Sequence, residues 1–371
     1  MTDDDLESAL TGLVPALLQA LETLGQITRH LHPTRLDALL ETAKPHAALL
    51  RDARARFDAC AWPEQLAGLR QHLTSSADET MRAFEGLREA AASPEGPRQA
   101  YRALRHATRA EAALYPVASV LPTINRYYLE PEARGDAALA EQLASADPTR
   151  PDIGVMHSGE TPGERGGFSL YVPENYESSR PHPLVMALHG GSGNGGAFLW
   201  SWLRAARTRG AILAAPTALG STWDLRDPEQ DSVNIEAILA HVQQNWTIDP
   251  ARLLLTGMSD GGTFALLSGL SDTSPFTHLA PAATGFHPFL LEMVEPARVA
   301  DLPIYLIHGA LDWMFDVGRA RGVARALAAA GAKIVYREID DLSHTYPRDE
   351  NPRILDWLSG GMNSALHAPT A

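Results

Sequence analysis

The feature that most restricts how this chain can fold is a five-residue junction, Gly257-Met258-Ser259-Asp260-Gly261. It stands between the apolar run Leu253-Leu254-Leu255-Thr256 and the helix-forming run Gly262-Thr263-Phe264-Ala265-Leu266-Leu267. A strand that passes into a helix within so few residues must double back sharply, and glycines beside the serine remove side chains that would collide there. Such a turn exposes the hydroxyl at the strand's end. It also aims the Asp260 amide, near the positive end of the new helix, at the place where negative charge would develop during attack on a carbonyl. An ordinary Gly/Ser turn shares the composition but does not need these two flanks.

The surrounding sequence supports such a junction. Strand-like runs fall at Phe168-Val172, Leu184-Leu188, Ala211-Ala215, Arg252-Thr256, Thr277-Ala280, Ile304-Ile307 and Lys333-Glu338, most of them apolar without polar alternation. That is the pattern of strands covered on both faces. Helical stretches lie between them at Ala197-Thr208, Asp231-Trp246, Gly262-Leu270, Val317-Ala330 and Pro352-Leu358. Parallel neighbours require such crossovers, so the fold class is α/β with a mostly parallel central sheet.

A serine hydroxyl is a poor nucleophile and needs a base, which in turn needs a group to hold its tautomer. Downstream of Ser259, the run Ile304-Ile307 ends in His308-Gly309-Ala310-Leu311-Asp312, which puts Asp312 in the loop after a strand. His344 follows the last strand in a polar loop. Ser, Asp, His is the chain order expected of such a sheet. Asp316, Asp340 and Asp341 are competing carboxylates. After Leu184-Leu188 comes His189-Gly190-Gly191-Ser192-Gly193-Asn194-Gly195-Gly196, where glycines let backbone amides approach an oxyanion. Gly190 or Gly191 is the expected second donor beside Asp260, with Gly191 preferred. The loop lacks the Lys-Ser/Thr ending of a phosphate loop and matches a dinucleotide fingerprint only loosely. Trp223, Met258, Trp313 and Phe315 are candidates to line a substrate pocket.

From Leu6 to about Leu129, Leu and Ala recur at spacings of three and four, with expected breaks at Pro33, Pro45, Pro63 and the Ser93–Pro97 stretch. In Ala47–Ala59, Leu49, Leu50, Ala53 and Phe57 form one apolar face. The partition is therefore a helical accessory domain over 1–130, a linker and entry segment over 131–163 and a catalytic domain over 164–371. The helical region is expected to act as a cap, shield or homo-oligomer interface. The net charge of −14, with no long Lys/Arg tract, argues against nucleic acid as a partner. Cys60 is the sole cysteine, which excludes an intrachain disulfide. The acidic start of the chain and the lack of an 18-residue apolar run lead to the expectation of a cytoplasmic protein with no integral membrane segment.

The catalytic half resembles the α/β-hydrolase superfamily, and within it the bacterial carboxylesterase/phospholipase-type branch related to polyhydroxybutyrate depolymerase-like and feruloyl-esterase-like proteins. The resemblance rests on Glu164–Pro173, Leu188–Gly193, Leu255–Gly262, Ile307–Asp312 and Ser343-His344. It implies a triad of Ser259, Asp312 and His344, with oxyanion amides at Gly191 and Asp260, and hydrolysis of a small-molecule ester or lipid-like substrate without metal or organic cofactor. A phospholipase or lysophospholipase, a serine peptidase and a catalytically inactive binding protein are the rival readings.

Overall fold

The computed structural model describes residues 3–93, 96–147 and 149–360; the last stretch of the expected catalytic domain, 361–371, and the break at Pro94 and Glu95 lie outside them. The chain forms two compact units, Met1–Pro148 and Thr149–Ala371, so the division falls within the segment read as a linker.

The first unit is helical: α1 (Asp3–His30), α2 (Leu36–Ala59), α3 (Ala67–Ala91), α4 (Gly96–Leu114), α5 (Pro122–Tyr127) and α6 (Ala137–Ala144). Pro45 does not break its helix, contrary to the sequence expectation. Proline removes one backbone hydrogen bond, but Leu36 and Ala43 before it and Leu50, Ala53 and Phe57 after it are all buried along α2, and that burial offsets the loss. Leu49, expected on the same face, is instead exposed. Helices α3 and α4 lie close enough that a Cβ on Gly86 would come within 2.8 Å of the Ala103 Cβ.

The second unit is built on strands β1 (Gly154–His157), β2 (Phe168–Val172), β3 (His182–Leu188), β4 (Ile212–Pro216), β5 (Ile248–Met258), β6 (His278–Ala282), β7 (Pro303–Gly309) and β8 (Lys333–Ile339). They form one sheet in the order β1-β2-β4-β3-β5-β6-β7-β8. The β1–β2 and β2–β4 pairs are antiparallel, and every pair from β4 through β8 is parallel. Helices α7 (Gly195–Arg209), α8 (Glu229–Asn245), α9 (Asp260–Gly269), α10 (Pro296–Val299), α11 (Val317–Ala329) and α12 (Asn351–Leu358) supply the crossovers and the C-terminal cover. All of β3 is buried, as its unbroken apolar run requires. Strand β1 lies in the stretch assigned to the linker and entry segment; its four residues pair only with β2.

Two local devices set the site's position. Asn194 caps α7 by accepting from the Ala197 N–H at 2.8 Å, and Gly210 ends that helix at φ 67°. The chain leaves β3 to form β4 on one side and returns to place β5 on the other. This is a topological switch point, where a crevice opens beyond the strands' carboxyl ends.

Candidate active site

Ser259 follows β5 directly with φ 56° and ψ −117°, a backbone conformation costly for any residue with a side chain. The surroundings hold it there. Its N–H donates to the Ala282 carbonyl at 3.0 Å, and its own carbonyl accepts from the Thr263 N–H at 2.8 Å. A Cβ on Gly261 would stand 2.4 Å from the His189 carbonyl oxygen, and one on Gly257 would stand 2.4 Å from the Gly261 oxygen. Only glycine lets β3, β5 and α9 meet this closely. Asp260 opens α9, where amide donors have no partner inside the helix.

The loops after β7 and β8 bring Asp312 and His344 to this serine. The Ser259 hydroxyl lies 3.0 Å from His344 Nε2, and His344 Nδ1 lies 2.9 Å from Asp312 Oδ2. All three are buried or nearly so. An ionised carboxylate only accepts, so Nδ1 carries the ring proton and Nε2 presents a lone pair to the hydroxyl. Asp312 Oδ1 accepts from the amides of Met314 and Phe315, each at 2.9 Å. Burial would raise the Asp312 carboxyl. The hydrogen bond and charge of His344, with those two amides, outweigh it and hold the group below its usual range. Among the competing carboxylates, Asp316 caps α11 through the Gly318 N–H.

A second histidine, not singled out by sequence reasoning, supports this loop. His308 is fully buried, and its Nε2 donates to the Phe315 carbonyl at 2.9 Å and lies 3.6 Å from Asp312 Oδ2. Its only sequence signal is its place in His308-Gly309-Ala310-Leu311-Asp312.

The glycine loop lies on the opposite side of Ser259. A Cβ on Gly190 would stand 3.7 Å from the Ser259 Cβ, and one on Gly191 would stand 2.8 Å from Asp260 Oδ2. The Gly190 carbonyl accepts from the Gly193 N–H at 3.0 Å and from His189 Nδ1 at 2.7 Å. Within one planar peptide the next N–H points the other way, so the Gly191 amide faces away from those donors. His189 Nε2 accepts from the Ala218 N–H at 3.1 Å, which fixes the neutral tautomer. Burial, only partly opposed by the Gly190 hydrogen bond, brings this imidazole down to about 4.

Asp260 is also engaged through its side chain. Its carboxylate accepts from the Thr222 hydroxyl at 2.7 Å, linking the loop after β4 to the elbow. Thr222 was invisible in the sequence, because nothing local shows that β4 runs two strands from β5. The pocket candidates divide. Met258 is half-buried, Trp313 is exposed, and Phe315 packs edge-on against the His344 ring at 5.3 Å. Trp223 is not a pocket residue. It is 1% exposed, packs between His189 and Phe264, and donates Nε1–H to the His189 carbonyl at 2.8 Å. Its ring is spent on holding the glycine loop from beneath.

A surface depression lined by Asp272, Phe276, Arg298 and Asp301 opens at the amino-terminal edge of β6 and β7, the far end of the sheet from Ser259. Arg298 is already engaged there by the Gly269 and Phe276 carbonyls. Among the described residues, no group of three or more His, Cys, Asp or Glu is placed to hold a metal ion. No helix among them is long and apolar enough to cross a membrane.

Residues 227–360 match the phospholipase/carboxylesterase family model. Feruloyl esterase C of Emericella nidulans is 33% identical over 102 residues, covering 26% of this chain and 37% of that protein. A feruloyl esterase C relative from Aspergillus terreus, described as probable, is 29% identical over 125 residues, 32% of this chain and 46% of its own. The chain thus spans less than half the length of the curated relatives it matches. Among solved structures, a thermostable esterase aligns at 24% identity over 56% of this chain and 63% of its own, with a TM-score of 0.46. An S-formylglutathione hydrolase from Agrobacterium tumefaciens aligns at 17% identity over 56% and 95%, with a TM-score of 0.44. The sheet order and strand directions are those of an α/β-hydrolase fold, and residues 227–360 are similar to the phospholipase/carboxylesterase family.

Proposed function

We propose that the protein hydrolyses carboxylic esters through an acyl-enzyme formed on Ser259. The observation that carries this reading is the unbroken relay from the Ser259 hydroxyl to His344 Nε2 at 3.0 Å and from His344 Nδ1 to Asp312 at 2.9 Å. His344 takes the hydroxyl proton as Ser259 attacks the ester carbonyl, while Asp312 holds the ring and offsets the imidazolium charge. The oxyanion forms between the Asp260 amide and the glycine loop, where the Gly190 carbonyl is tied back and the Gly191 N–H is turned the other way. One such donor contributes about 3 kcal/mol of transition-state stabilisation. His344 then protonates the departing alcohol, and the same imidazole activates water to release the acid. The feruloyl esterase relatives and the phospholipase/carboxylesterase match support an ester as the substrate.

The test is Ser259→Ala, checked for native circular dichroism. We expect the variant to lose at least about 10⁴-fold in turnover of an activated short-chain ester and to escape labelling by a fluorophosphonate that marks the parent protein. Comparable turnover by the folded variant would remove Ser259 from the chemistry. A profile across short and long acyl esters, lysophospholipid and aminoacyl amides then separates esterase from lipase and peptidase.

A further inference from the structure

Exposed large apolar side chains are not scattered over the second unit. Among the described residues, Leu219, Leu225, Phe289, Met293, Trp313 and Met314 all lie in segments leaving the carboxyl ends of β4, β6 and β7, and only Val233, on α8, lies elsewhere. Single exposed apolar residues need no explanation, but their confinement to the rim of one crevice does. The rim is also uneven. Two leucines stand on the β4 side of Ser259, whereas Phe289, Met293, Trp313 and Met314 stand on the β6–β7 side.

The relay assigns a chemical meaning to that side. With the carbonyl oxygen turned toward the glycine loop after β3, the leaving oxygen has to come within reach of His344 Nε2 to receive its proton. The alcohol part of an ester therefore lies against the β7 and β8 loops. Trp313 and Met314 are held there by the turn in which Asp312 Oδ1 accepts from the Met314 and Phe315 amides. Phe315 follows them, its ring edge-on to His344 and its Cζ 3.3 Å from where a Gly285 side chain would begin. Gly285 leads into the segment that carries Phe289 and Met293.

We propose that Trp313 and Met314, with Phe289 and Met293 beside them, form a binding wall for an apolar alcohol, so that the site transfers acyl groups to apolar primary alcohols as well as to water. This rests on the esterase reading above. The entering alcohol occupies the place the leaving one vacated, because the same Nε2 must take its proton. Its oxygen bonds to the acyl carbon, its proton passes to His344, the bond from that carbon to Ser259 Oγ breaks, and His344 returns the proton to Oγ. The products are a new ester and free serine, with no change of oxidation state. Water gains nothing from an apolar wall, and methanol little; an aromatic alcohol gains by burying its ring.

The experiment uses the full chain with vinyl acetate as donor, whose leaving group is too small to span the wall, and benzyl alcohol or methanol as acceptor at equal concentration. Acetate, methyl acetate and benzyl acetate are quantified. We expect benzyl alcohol to capture acetyl groups roughly tenfold better than methanol, given the apolar area its ring can bury. Trp313→Ala and, separately, Met314→Gln should lower that ratio while acetate release persists, and Val233→Ala should leave it unchanged. Equal capture of the two alcohols by the parent protein, or a parallel fall of acetate and benzyl acetate in both rim variants, overturns the alcohol site but leaves the esterase intact. No acetate at all from the folded parent protein overturns the esterase reading, and this inference with it.

Discussion

His189 shows how one residue ties the site's geometry to the stability of the fold. Burial, against a raising hydrogen bond to Gly190, brings its pKa from the ordinary 6.5 to about 4, so the ring is neutral and its Nε2 accepts the Ala218 N–H. The unfolded chain takes up this proton near pH 6.5 and the folded chain only near 4. The folded-state advantage is thus complete above about 6.5 and is lost as the pH falls toward 4, by about 3 kcal/mol in all. His157 and His278, lowered by burial, act in the same direction. Urea midpoints measured from pH 8 to pH 4 should therefore fall steeply below about 6.5, and His189→Gln should flatten that slope while being less stable at pH 8. Equal slopes would mean the ring is not neutral in the fold. At this scale the sequence was informative wherever chemistry and position coincide: Ser259, Asp312 and His344 each stand just beyond a strand, and three such residue types in that order are hard to arrange by accident. Thr222, His308 and the buried Trp223 were not legible as they are used. Their roles depend on which strand lies beside which, and no local pattern carries that.

The elements explain why the relay's members meet. Gly309 ends β7 where the chain carrying His344 crosses it, and a Cβ there would stand 2.2 Å from the Leu342 carbonyl oxygen and 2.8 Å from that of Ser343. Both obstacles are backbone, so neither can swing aside, and the loop itself must move. Gly309→Ala is expected to cost about 2 kcal/mol of stability by overpacking and to cut kcat by about 100-fold, since an error of about 1 Å in a catalytic group is enough for that. Gly322, inside α11 with nothing near its missing Cβ, is the contrast: alanine there should stabilise by about 0.5 to 1 kcal/mol and leave kcat alone. Chemical denaturation and steady-state kinetics on both variants decide it, and a Gly309→Ala protein of normal kcat would show that the His344 loop has slack. Strand and helix alternation from β2 onward was legible because strands buried on both faces read as unbroken apolar runs. Strand β1, a four-residue edge with one neighbour, has no such run, and α2 continues through Pro45 because tertiary burial outweighs a local breaker.

At the scale of the whole molecule, the change of pattern between an Ala/Leu spacing of three and four and a succession of short apolar runs already separates the chain into two kinds of structure. The exact division was harder to read, because α6 is a short helix set among prolines and glycines. The two units differ in what they contain. Every strand of the sheet, the glycine loop, Ser259, Asp312 and His344 belong to Thr149–Ala371. So does each member of the cluster that packs the sheet, from Leu170 and Val172 on β2 to Tyr336 on β8, with Ile153 and Met156 against its edge. A unit of this size with its own apolar core has what it needs to fold alone. Residues 149–371 expressed without the helical unit should therefore unfold in one cooperative transition and label at Ser259 with a fluorophosphonate as fast as the full chain. A folded fragment that labels slowly would show that the helical unit shapes the crevice, and a fragment that fails to fold would show that the core drawn from residues 149 onward is insufficient alone.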